Sequence, residues 1–126
     1  MRWQQSVGGA YACKVSDTAP LITAAQLLSD RLRTLPESAL RRGAAAEGLA
    51  LACELARRAQ LLEFPARTPR KLPDVGVFVV GDQLAVAAHD LAEILREVDA
   101  PGELTEAVAL VRAAARRVTA SATATR

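Results

Sequence analysis

"VGVFVVGDQLAVAAHDL", residues 75–91, opens like a buried β-strand, closes like a helix and carries the chain's single histidine. The fold class turns on how this stretch is read. As a hairpin, GVFVV and QLAVAA would flank a Gly81-Asp82 turn, an acceptable two-residue connection. As a helix, Val77, Leu84, Leu91 and Val98 repeat every seven residues, with Val80, Ala87 and Ile94 in step. A hairpin has no reason to keep that repeat, and an isolated two-stranded hairpin is marginal in water. The spacing therefore predicts a continuous helix over residues 75–98, capped by Asp74. Gly76 and Gly81 are then weak spots costing about 1 kcal/mol each relative to Ala.

The flanking sequence agrees. Leu21, Ala25, Leu28, Leu32 and Leu35 form one apolar stripe that predicts a helix over 19–35, with Thr18 or Asp17 as cap and Pro20 in its first turn. Thr34 and Glu37 have capping-box spacing for a second helix over 37–63. That helix is either continuous or broken near Gly43. Its wheel gathers Leu51, Leu62, Leu55, Gly48, Ala59, Ala52, Ala45, Ala56 and Leu49 over nearly half the circumference, enough to touch two neighbours. Pro65, Pro69 and Pro73 forbid regular helix in the loop that follows. Leu104, Val108, Val111, Ala115 and Val118 give the stripe of a last helix over 102–119, its early glutamates and late arginines matching the helix dipole. The expected fold is all-α, an up-down-up-down four-helix bundle over residues 18–120. An irregular arm precedes it at 1–17, and a frayed tail follows at 121–126.

Composition supports helices. The chain holds 27 alanines but only one Trp, one Tyr and two Phe, so its core must be aliphatic and closely spaced. Fourteen arginines against two lysines read as the coding bias of a GC-rich bacterial genome. The net charge of +2 is too small to imply a nucleic-acid partner on its own. No signal-like apolar segment opens the sequence and no run approaches a membrane span, so a cytoplasmic location with reduced thiols is expected. Cys13 and Cys53 belong to no C-x-x-C pair.

Chemistry is hard to find. No serine sits in a G-x-S-x-G setting, and no glycine-rich phosphate loop is present. His89 and Asp90 are adjacent on a helix and diverge by about 100°, so they cannot form a dyad. Asp82, His89 and Glu93 share one face and are weak candidates for a metal, though such sites need ligands from another helix. A solvated polar face with an i,i+4 pair is the plainer reading. The expectation is a non-enzymatic module without cofactor, acting through protein–protein contacts. Gly48, Ala52, Ala56 and Ala59 form a small-residue face for internal packing or for a homodimer. One alternative is a nucleic-acid-associated regulator using Arg67, Arg70 and Lys71 with the arginine pairs. Interleaved acids and the scarcity of aromatics to stack bases weigh against it. The other alternative is a bundle that binds a small molecule or a metal.

Overall fold

The computed structural model describes residues 17–123. The arm at 1–16, with Cys13, and the last three residues of the tail lie outside them. Among the described residues there are four long helices: α1 (Ala19–Thr34), α2 (Ala45–Glu63), α3 (Val80–Glu97) and α4 (Pro101–Thr123). Among the described residues there is no strand. The all-α four-helix bundle is the fold, and α4 runs on through Ser121, which the sequence assigns to the tail.

Each helix buries the stripe its sequence lays out. Leu21, Ala25, Leu28 and Leu32 of α1 meet Leu84, Ala87, Leu91 and Leu95 of α3 and Val111, Ala114 and Val118 of α4 in a single core. From α2 come Leu51, Ala52, Leu55 and Ala59. Asp17 accepts the Ala19 amide at the head of α1 at 3.1 Å, and Pro20 occupies the first turn. Thr34 makes no capping box; its hydroxyl donates back to the Arg31 carbonyl instead. The second helical segment breaks where Gly43 stands. Glu37–Ala39 and a π-helical turn, Leu40–Ala44, lead into α2 across a kink. Gly43 there has φ 155° and ψ −23°, which a residue with a Cβ adopts only under strain.

The order of directions differs from up-down-up-down. Glu47 at the start of α2 pairs with Arg117 near the end of α4, and Arg58 pairs with Glu103 at the start of α4. These two helices are antiparallel. Gly48, early in α2, faces Val80 at the head of α3. Ala59, Gln60 and Glu63 at the end of α2 share a cleft with Ile94 and Glu97 at the end of α3. So α2 and α3 run parallel, and the chain reads up-down-down-up. α1 and α2 each pack on α3 and α4.

The loop after α2 causes the difference. It must return along the length of α2, roughly 25 Å at 1.5 Å per residue. A stretch held out of helix by Pro65, Pro69 and Pro73 can reach that far, whereas a tight turn cannot. Gln60 clamps the outgoing leg by accepting from the Arg70 amide at 2.8 Å and donating to its carbonyl at 3.1 Å. Gln83 holds the far end, donating to the Pro73 carbonyl at 2.9 Å.

The opening stretch is corrected in its first turns. Helix α3 begins at Val80, not at residue 75, after a short 3₁₀ turn over Val77–Val79. Gly76 has φ 118°, a left-handed region that stops a helix from extending back through it. Asp74 caps nothing helical; it accepts the Gly76 amide at 3.2 Å to close a local turn. The heptad from Leu84 onward survives, but Val77 belongs to the turn.

Candidate functional site

Gly81 lies inside α3 where α3 crosses α1. A Cβ on it would sit 3.0 Å from the Ser29 carbonyl oxygen and 3.0 Å from Arg33 Cγ, closer than side chains ordinarily pack, so a larger residue here would press the helices apart. Ser29 is fully buried and donates its hydroxyl to the Gly81 carbonyl at 3.0 Å. Arg33 bonds Asp82 at 2.9 Å on the rim of the same crossing. The glycine that looked like a weak spot in a good helix is thus a packing device.

The small-residue face of α2 plays a similar part. A Cβ on Gly48 would come within 2.7 Å of Val80 Cγ1 and 2.8 Å of Leu32 Cδ1. Ala52 and Ala59 are buried in the core, and Ala56 is half-buried against it. These four residues pack inside the chain. Of the two expected roles for this face, internal packing is the one these contacts serve, with Gly48 against Val80 and Leu32.

The proposed metal set does not gather. Asp82 is engaged with Arg33, while His89 Nε2 stands 3.8 Å from Glu93 Oε2 on the exposed side of α3. Arg96 takes the same Glu93 carboxylate at 2.9 Å. Among the described residues no three His, Cys, Asp or Glu side chains are grouped to hold a metal ion.

Most of the arginine pairs are spent within the fold. Arg41 bonds Glu37 at 2.5 Å, and Arg117 bonds Glu47 at 2.6 Å. Arg58 is the centre of the largest network, with only 16% of its side chain exposed. It reaches Glu54 on its own helix and Glu103 and Glu106 on α4. Arg57 adds two more bonds to Glu54. The Arg57 hydrogen bonds, assisted by those of Arg58 against a burial penalty, lower the Glu54 carboxyl to about 2. Sequence reading missed this network, because helical spacing shows the i,i+3 and i,i+4 partners but not the α4 glutamates across the interface.

In the basic loop, Arg67 stacks its guanidinium over the Phe64 ring, 4.4 Å from the centroid. Arg70 and Lys71 line a cleft shared with Glu63, Asp90, Glu93 and Glu97. The loop's cations thus sit among carboxylates instead of forming a separate basic stripe.

Among the described residues two apolar surfaces stand open. One is a flank of α3 where Leu72, Val75, Val79, Val86 and Ala87 line a cavity of about 340 Å³ with Asp82, Gln83 and Asp90 at its border. Val75 is 60% exposed, Val86 61%, and Phe78 in the adjoining turn 65%. The other is a groove of about 570 Å³ between α1 and α4, lined by Ala24, Leu27, Leu28, Val111 and Ala115 among others, with Asp17, Arg31 and Arg112 at its edges. Leu27 within it is 68% exposed.

No family model, curated protein or solved structure matches the chain.

Proposed function

We propose that this chain is a non-enzymatic helical-bundle module of the cytoplasm, a homodimer that docks a protein partner on the α3 flank. The observation that carries the reading is that Val75 and Val86, each more than half exposed, line one cavity on this flank, with exposed Phe78 in the turn that leads into α3. Large apolar side chains that cluster on a surface, with a polar border, mark contact sites more often than scattered ones do. Its border carries two carboxylates, Asp82, which Arg33 also bonds, and Asp90. A partner presenting an apolar anchor inside a basic rim complements it. A second copy of the same face would set carboxylates against carboxylates, so the dimer contact belongs elsewhere.

The nucleic-acid alternative draws less support. Arg41, Arg57, Arg58 and Arg117 are held by carboxylates, and Arg70 and Lys71 border an acidic cleft. Retention on DNA or RNA that fades steeply with salt would favour it over the present reading.

The test is site-specific photo-crosslinking in the protein's own cells, with the reactive residue at Phe78 or Val86. Adducts with one defined protein should form from these positions and not from exposed Thr105 on α4. Equal adducts from all three positions, or none from the flank, would sink the reading.

A further inference from the structure

We infer that the open groove between α1 and α4 is where a second copy of this chain binds, with the two α1 helices crossing antiparallel about Ala24. This rests on the homodimer part of the proposed function and supplies its face. Shape points to it first. Leu27 projects at 68% exposure from a groove whose neighbouring residues, Ala19, Ala24 and Ala115, are small. A knob and the hole to receive it therefore lie on the same surface, which is the condition for an isologous contact.

Charge then fixes the direction. Ala24 and Arg31 of α1 and Asp17 just ahead of it all line the groove, with the acid at the head of the helix and the base toward its end. A two-fold axis through Ala24 sets Asp17 opposite the partner's Arg31, and Arg31 opposite the partner's Asp17. Arg31 lies about 10 Å along α1 from Ala24. Among the described residues Arg31 has no ion pair, and the Asp17 carboxylate accepts only the nearby Ala19 amide. A parallel crossing would set like against like. Arg112 from α4 leaves each copy one surplus cation in the groove, so it is the antiparallel α1 axis that carries the complementarity.

Sedimentation of the full chain across roughly micromolar to 100 µM concentration tests this. The mass should rise from 13.3 kDa toward twice that value. Leu27→Asp should weaken the dimer at least about tenfold while leaving helix content unchanged. Arg31→Asp should weaken it by about threefold to tenfold, and combining Arg31→Asp with Asp17→Arg should restore it. Arg112→Ala, which removes the surplus cation, should not weaken it. A monomer at every concentration, a dimer that survives Leu27→Asp, or a charge exchange that fails to restore would each overturn the assignment. So would a dimer lost in Val86→Asp, which would place self-association on the α3 flank. Crosslinks from Phe78 to a foreign protein alongside a monomeric wild type would leave partner docking standing and remove this face alone.

Discussion

Helix α1 meets its two neighbours in opposite ways. Against α3 it is sealed: Ser29 bonds the Gly81 backbone, Arg33 bonds Asp82, and Gly81 leaves little room for a side chain between the helices. Against α4 it leaves a groove of about 570 Å³ with Leu27 standing in it. Helix α4, meanwhile, is held to α2 through Arg58, Glu103 and Glu106 and through Arg117 and Glu47. One side of α1 therefore completes the bundle, while the other has apolar surface that the other described helices leave uncovered. Contacts inside a chain and contacts between chains draw on the same chemistry. Which is which depends on whether the chain's own helices come close enough to cover the surface.

The contrast can be probed by mutation, starting where the seal is tightest. Gly81→Val drives a branched side chain into the Ser29 carbonyl and should destabilise the protein by about 3 kcal/mol in chemical denaturation. A loss under 1 kcal/mol would mean that the α1–α3 crossing is less closely packed than described. Arg58→Ala removes the link that fastens α4 to α2 and leaves three glutamates without their shared cation. A loss of about 1–2 kcal/mol is expected, readable as a lower denaturation midpoint with an unchanged slope. Ser29→Ala deletes one buried hydrogen bond at the crossing and should cost about 1 kcal/mol.

Acid titration reads the α2–α4 side separately. Glu54 has a folded pKa of about 2 against an ordinary 4.5, so its contribution to stability is complete above pH 4.5. It is lost progressively as pH falls toward 2. Glu54→Gln should flatten that part of the profile of thermal midpoint against pH and leave the α1–α3 crossing untouched. Leu27→Asp has the smallest expected effect on folding, within about 0.5 kcal/mol, because the side chain is already in water. A large loss of monomer stability in that variant would show that Leu27 serves the core and that the α1–α4 side is not open.

Much of this was legible in the sequence, and the physical reason is periodicity. The stripes of α1 and α4 and the wide apolar face of α2 follow from where leucine, valine and alanine fall on a 3.6-residue turn, and those same residues are buried in the core or packed against it. His89 was placed on the polar face by the same spacing and lies exposed there. The first turns of the 75–91 stretch misled for a local reason. Val77 is in register with Leu84, but a seven-residue repeat does not report backbone angles, and Gly76 takes a φ of 118° that ends the pattern one turn early. A glycine before an apolar run, with Asp74 two residues upstream, was the available signal for that turn.

Amino-acid order alone settled that the chain is helical, where its loops lie and which face of each helix turns inward, because these are properties of single segments in water. Direction and partnership were settled by the assembled bundle. Three prolines could announce a loop but not that it crosses back along α2 to leave α2 and α3 parallel. The spacing of Gly48, Ala52, Ala56 and Ala59 could announce a close contact but not that α3 already occupies it. Nor could the position of Leu27 say that α4 stops short of covering it. Whether an apolar face is core or surface depends on what else the chain brings to it, and that is a property of distances between segments far apart in sequence.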